Sequence, residues 1–248
     1  EHFVKVLQQH PSVLSLQELG GNYDYMILFA QKNASRCNKE LHMLTLQFPE
    51  LIKKYSILTN AASYEFKRRY LTKHSSHASS LVLGGDREGA SLEALEIKIL
   101  KELSENPRIS YVTLATKYHI SPKTAISHVR RLETKGIIKG YSANIDCYSY
   151  KHIAQKIFLK TSTVSKQKDE EMLKFFRQHE EVIRVSKVFG EWDYEIDIEV
   201  ASLKAFQEFC ILLRTHFGEL ILDLDHHAVL SSLIMSSLPR SFFLEVKQ

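Results

Sequence analysis

The chain has 248 residues, enough for two or three small domains with cores of their own. Its 44% hydrophobic and 25% charged residues are ordinary for a globular protein, and a net charge of +4 is too mild to define a partner. No run of about 18 apolar residues predicts a membrane-spanning helix. The N-terminus lacks the basic, then apolar, then small-residue pattern of a secretory leader. Cys37, Cys147 and Cys210 stand far apart without a CxxC pair. That spacing argues for reduced thiols in a cytoplasm, and against a disulfide framework or zinc knuckle.

The chain opens on half of an internal repeat. Val13–Tyr25 reads VLSLQELGGNYDY, and Val182–Tyr194 reads VIRVSKVFGEWDY. Setting Gly21 on Gly190 gives an offset of 190 − 21 = 169 that needs no gap from Glu1 to Ile52. Fourteen of these 52 positions are identical, among them Gly21, Asp24, Tyr25, Ile27, Leu44 and Phe48. Chance pairing would give roughly one in sixteen. In each copy an amphipathic helix leads to an alternating strand, a Gly-x-aromatic-Asp-Tyr turn, a second strand, a helix and a last strand. The first copy occupies 1–71. Its Glu1 aligns with Glu170, so an opening strand is missing and a longer polypeptide with a further module upstream is expected.

Thr72–Ala90 is rich in Ser, Gly and His without lasting periodicity and reads as a linker. His74 and His77 within it read as solvated polar residues rather than metal ligands.

From Leu92 the pattern turns helical, with Leu92, Leu95, Ile99 and Leu103 on one face, until Asn106-Pro107 stops it. Ser110 caps a short helix at about Tyr111–Tyr118, His119-Ile120 makes the turn, and Ser121-Pro122 opens the next helix. Helix, short turn, helix is the motif that lays its second helix in the major groove. At 100° per residue, Ala125, Val129 and Leu132 face the core. Lys123, Ser127, Arg130 and Thr134 face outward, flanked by Thr124 and Arg131. This outer face carries no acid and suits phosphates and base edges. Gly136–Tyr141 then predicts a turn and a short wing strand, with Lys139 as a phosphate contact. The expected DNA-binding set is Ser121, Lys123, Thr124, Ser127, His128, Arg130, Arg131 and Lys139.

The second copy follows: strand Ala154–Thr163, helix Glu170–His179, strands Val182–Val188 and Tyr194–Val200, helix Ser202–His216 and strand Leu220–Leu230. This β-α-β-β-α-β order is that of a ferredoxin-like sandwich. Both faces of Ala154–Thr163 carry apolar groups, so the two copies are expected to pair, with each other or with those of another chain. On the last strand Asp223, Asp225 and His227 project together while His226 points away. A polar face at an interface, not a metal site, is the reading adopted.

Residues 92–146 (LEALEIKILKELSENPRISYVTLATKYHISPKTAISHVRRLETKGIIKGYSANID) resemble the DNA-binding domain of the leucine-responsive/asparagine-synthase regulator (Lrp/AsnC) family. The repeated part resembles that family's "regulation of amino acid metabolism" (RAM) module. His119 stands where the family usually has glycine. The resemblance implies an α+β chain: a winged helix-turn-helix at 91–141 flanked by ferredoxin-like RAM modules at 1–71 and 142–240, with a tail at 241–248. It implies a cytoplasmic, prokaryotic transcriptional regulator that binds double-stranded DNA, assembles through RAM domains and answers a small effector such as an amino acid. The effector residues it implies are Gly190, Trp192, Asp193 and Tyr194, with Gly21, Tyr23, Asp24 and Tyr25 in the first copy. For Asp193 two readings stand, a partner for a ligand ammonium or a cap of its turn. No cofactor, metal or catalytic residue is expected. Siroheme decarboxylases share the architecture, but the 12 histidines form no motif for that activity, and a basic, acid-free recognition face would be superfluous in such an enzyme.

Overall fold

The computed structural model describes residues 1–71, 81–86, 89–163 and 165–244; His74 and His77 lie outside them. Helix α1 (His2–Gln9) precedes strands β1 (Val13–Gly20) and β2 (Tyr25–Phe29), helix α2 (Ala34–Gln47) and strand β3 (Thr59–Glu65). Strand β4 (Leu81–Gly84) follows, inside the stretch expected to be a featureless linker. Its ladder to β3 explains the difference, because paired backbone holds an extended form that composition alone does not signal. The helical unit is α3 (Ala94–Glu105), α4 (Tyr111–Tyr118) and α5 (Pro122–Thr134). The second copy is β5 (Ile153–Thr161), α6 (Lys166–Gln178), β6 (Val182–Phe189), β7 (Tyr194–Val200), α7 (Leu203–Phe217) and β8 (Ile221–Met235), and α8 (Arg240–Leu244) ends the described chain. Among the described residues no helix is long and apolar enough to cross a membrane.

The eight strands form one sheet in the order β2-β1-β8-β5-β7-β6-β3-β4. Its centre, β8-β5-β7-β6, is the 4-1-3-2 order of a ferredoxin-like sandwich, all antiparallel. Alternation sends Ile157 and Leu159 of β5 and Ile196 and Ile198 of β7 to one face. There α6 and α7 cover them with Met172, Phe175, Phe176, Phe206, Phe209 and Leu213.

The two copies pair with each other within the chain, one of the two pairings expected: β1 joins the second copy at β8, and β3 joins it at β6. The two ladders are equivalent under the repeat offset: Thr59 faces Phe189 and Gly20 faces Ala228, while Asn60 faces Val188 and Leu19 faces Val229. The first half of β8 pairs with β5, the opening strand of its copy. The corresponding stretch at 52–58 belongs to no ladder among the described residues. The two apolar cores also correspond. Leu7, Val13, Leu16, Leu44 and Phe48 form the buried cluster of the first copy. Each stands 169 residues before a buried residue of the second: Phe176, Val182, Val185, Leu213 and Phe217.

The sheet is strongly curled. Met26 of β2 packs into one cluster with Phe158, Val188 and Trp192, although β2 and β6 are five strands apart and would lie about 24 Å apart in a flat sheet. The enclosed face is polar. Lys156 is 0% exposed, with Nζ 2.5 Å from both Glu195 Oε1 and Asp197 Oδ1, and Arg184 closes on Asp197. Arg68, from the segment after β3, grips Glu199 with two hydrogen bonds of 2.7 and 2.9 Å.

Candidate DNA interface and effector site

The helical unit is built around Ile99, Leu100, Leu103, Leu114, Ala115, Ala125, Val129 and Leu132; helical spacing assigns all but Leu100 to the inside, and Leu92 and Leu95, assigned with them, are half-buried. Ser110 and Ser121 each accept a backbone N–H three residues on, at 3.0 Å, and Pro122 occupies the first helical position. His119 takes the left-handed conformation (φ 53°, ψ 45°) in which the family usually has glycine. The tight turn between α4 and α5 is kept, at about 1–2 kcal/mol of strain.

On α5, Ser121, Lys123, Ser127 and Arg130 are exposed, while Thr124 and His128 are half-buried beside them. Arg131 is placed differently from the sequence expectation. Its guanidinium turns to α3, with Nε 2.7 Å from Glu96 Oε1, NH2 2.8 Å from Glu93 Oε1, and NH2 3.1 Å from His128 Nδ1. The helical wheel of α5 alone could not show this, because both acids belong to another helix. Glu96 is fully buried. Burial pushes its carboxyl pKa up, but the Glu93 N–H and the Arg131 guanidinium outweigh this and hold it below the usual carboxylate range.

The expected wing strand is absent among the described residues. Ile137 and Ile138 instead donate to the Leu132 carbonyl at 3.0 and 3.1 Å and pack on the helical core. Lys139 gives its ammonium to the Val82 carbonyl of β4 at 2.6 Å, which ties the end of this unit to the sheet rather than presenting the charge to a phosphate.

The two Gly-x-aromatic-Asp-Tyr turns lie at one end of the sheet. Gly21 and Gly190 have φ of 142° and 141°, a region that favours glycine. Trp192 is buried against Phe158, and Tyr25 packs with the first copy's core. Tyr194 is buried and donates to Asp169; burial and that carboxylate push its phenol up. Asp193 accepts from Thr161 N at 2.8 Å, Thr161 Oγ1 at 3.2 Å and Lys160 Nζ at 3.0 Å. Partial burial raises its pKa, and these donors overcome that and hold it low. Of the two readings, this geometry is that of a structural cap, since both carboxylate oxygens are engaged within the chain. Asp24 keeps the turn itself, Leu19 N donating to its carbonyl at 2.8 Å as Val188 N does to Asp193. Among the described residues its carboxylate has no counterpart of the Thr161 and Lys160 donors to Asp193.

Sequence reasoning missed how the two turns are seated. The first copy's turn lies against β8, and the second copy's turn lies against the corresponding segment just before β3. Asn22 Nδ2 donates to Asp225 Oδ2 at 3.4 Å, and Ser56 Oγ donates to Glu191 Oε2 at 2.7 Å. These pairs are the same pair under the offset, 22 to 191 and 56 to 225. As expected from alternation, His227 shares a face with Asp225, Nε2 3.1 Å from Oδ2, while His226 turns to Phe206 of α7. Among the described residues no cluster of three or more metal-ligating side chains forms.

Residues 92–139 match the family described as winged helix-turn-helix DNA-binding, and 157–237 match the Lrp/AsnC ligand binding domain. The chain is 30% identical over 126 residues to the HTH-type transcriptional regulator LrpA of Mycobacterium tuberculosis, spanning 50% of this chain and 83% of that one. With the leucine-responsive regulatory protein of Serratia marcescens it shares 29% over 130 residues, 52% of this chain and 79% of that protein. A Neisseria meningitidis transcriptional regulator solved as an L-Met complex has the same fold, with a TM-score of 0.54 at 24% identity over 62% of this chain and 99% of its own. Escherichia coli AsnC gives 0.52 at 22%, over 60% and 99%. Two of these four are named as transcriptional regulators and a third as a regulatory protein. With both domain types matched in order and the identity spread across them, the chain belongs to the Lrp/AsnC family of DNA-binding transcriptional regulators.

Proposed function

We propose that the chain reads operator DNA through the outer face of α5, with Lys123, Ser127 and Arg130 as the principal contacts and Ser121, Thr124 and His128 beside them. The observation that carries this is an exposed, acid-free face on a helix whose opposite side is wholly core. Arg131 and Lys139 then serve the unit's own architecture. The effector is a small molecule of amino-acid type, acting where the two repeated turns meet. Its support is the match to the Lrp/AsnC ligand binding domain and the L-Met seen in the Neisseria meningitidis regulator. Because the copies share one sheet, a single chain supplies both halves of this region. Higher assembly would use the apolar surface of α7 and β8, where Leu203, Ile211, Leu222 and Leu230 are exposed. Selection of bound genomic fragments with and without each amino acid tests the reading. Recovery of a common operator whose yield changes with one amino acid is expected, and sequence-independent recovery unaffected by all of them would overturn it.

A further inference from the structure

Between the two turns lies a cleft of about 290 Å³. It spans the axis relating the two copies, since it is lined by both members of three offset pairs: Asn22 and Glu191, Tyr23 and Trp192, Lys54 and Asp223. Shape is repeated across the axis but charge is not. Where the first copy has Lys54 and Ser56, the second has Asp223 and Asp225. The lining therefore holds one cation, Lys54, and three carboxylates, Glu191, Asp223 and Asp225, together with the Tyr23 and Trp192 rings.

The chain leaves part of this charge unspent. Lys54 Nζ lies 5.4 Å over the Tyr23 ring and makes no ion pair among the described residues. Asp223 likewise makes no ion pair there, accepting only the N–H of its neighbour Leu224 at 2.8 Å. Glu191 and Asp225 are partly engaged, by Ser56 and by Asn22 and His227. Beneath them His227 is 1% exposed, and its Nδ1 has no hydrogen-bond partner among the described residues. Three carboxylates against one lysine select a ligand with more than one cationic group and a single carboxylate. Flat aromatic walls favour a cationic group laid against them.

We propose that this cleft binds one basic amino acid per chain, of the arginine or lysine class. Its carboxylate meets Lys54, and its cationic groups meet Asp223 and Asp225 between Tyr23 and Trp192. This rests on the reading of the chain as an amino-acid-responsive regulator and adds the ligand's class, its orientation and a stoichiometry of one. A symmetric pair of modules would present two equivalent half-sites. The charge difference between the copies, Lys54 against Asp223, makes the two halves of the cleft unequal.

Titration calorimetry on the full chain tests it, with L-arginine, L-lysine, their decarboxylated amines agmatine and cadaverine, and L-leucine and L-methionine. Arginine or lysine should bind once per chain, and the matching amine at least tenfold more weakly. Asp223→Asn, at an exposed position, should weaken the amino acid at least tenfold. Lys54→Gln should bring the amino acid down to the affinity of its amine while leaving the amine unchanged, which a merely structural role for Lys54 would not do. If leucine or methionine binds, indifferent to both substitutions, the effector reading survives and this site is overturned. If amines and amino acids bind equally, the assignment of Lys54 falls. If no amino acid binds or alters operator affinity, both the site and the effector reading fall.

Discussion

Gly21 lies against His227 so closely that a Cβ built on it would stand 2.6 Å from the ring Nδ1. The counterpart is Gly190 against residues 57 and 58, where a Cβ would stand 2.6 Å from the Ile57 carbonyl oxygen and 3.1 Å from Leu58 Cδ2. Leu58 and His227 are offset by the same 169 residues as the two glycines. Each copy's turn thus seats on equivalent residues of the other copy by one rule, and glycine is required twice by φ and twice by space.

Alanine at either glycine should therefore destabilise the fold, by about 1–3 kcal/mol from backbone strain alone. The two should differ in rescue. His227→Ala removes the ring that Gly21→Ala would strike, so the double variant should recover part of the loss. Leu58→Ala leaves the Ile57 backbone oxygen in place, so Gly190→Ala should stay unrescued. Urea unfolding of the four variants would measure this, and equal rescue in both pairs would contradict it.

On α5 the substitutions should split into two kinds. Lys123→Ala and Arg130→Ala should leave the melting temperature near wild type and weaken operator binding by about 1–3 kcal/mol where they touch base edges. A phosphate contact would instead show as a salt slope smaller by about one unit. Arg131→Ala should lower the melting temperature, because it strands the buried Glu96 without its guanidinium. Gel-shift titrations over a salt series, paired with thermal melts, would separate them. A normal melting temperature for Arg131→Ala with lost operator binding would return Arg131 to the DNA face.

Replacing His119 with glycine should stabilise the protein. It relieves a left-handed non-glycine residue but adds freedom to the unfolded chain, for a net gain of about 0.5–1 kcal/mol. Operator affinity should not change. A loss of stability would mean that the His119 side chain has a role its backbone geometry does not reveal.

Asp193, Asp197, Glu96 and Glu102 are all held below their ordinary pKa, so each favours the folded state when ionised. Their stabilisation is complete above the unfolded-state values near pH 4 and is lost as pH falls through the lower folded-state values. Acid unfolding should thus begin below about pH 4.5. Asp193→Asn should cost about 1 kcal/mol at neutral pH, modest because the side chain is partly exposed, and should flatten the acid limb. Chemical denaturation from pH 2.5 to 7 would check it. An unchanged acid limb would show that Thr161 and Lys160 hold the aspartate no better than water does.

The sequence carried the local structure well because each signal was local. Ser110, Ser121 and Pro122 mark helix starts by capping chemistry, and the 3.6- and 2-residue periods of α5, β5 and β7 mark buried faces. The repeat carried the correspondence of the two cores through Leu44 and Phe48, which keep their identity at 213 and 217. What it could not carry was contact between distant elements. The turn of Arg131 to α3 needs the angle between two helices. The pairing of β3 with β6, rather than with a strand of its own copy, joins elements far apart in the chain. Lys54 reads as an ordinary surface lysine until 52–58 is seen to run past the opposite turn.

The enclosed Lys156 has a practical consequence. An ammonium held between Glu195 and Asp197 and shut away from solvent cannot meet a bulky amine-reactive reagent while the curled sheet stays closed. The other lysines around it would be modified on the reagent's own timescale. Lys156 would be modified only as fast as the strands part, so the modification rate of this one side chain would report opening of the sheet against a built-in background of exposed amines. A ligand that bridges the two copies at their far end would then be visible as a slower clock at Lys156, with no probe attached to either the ligand or the DNA.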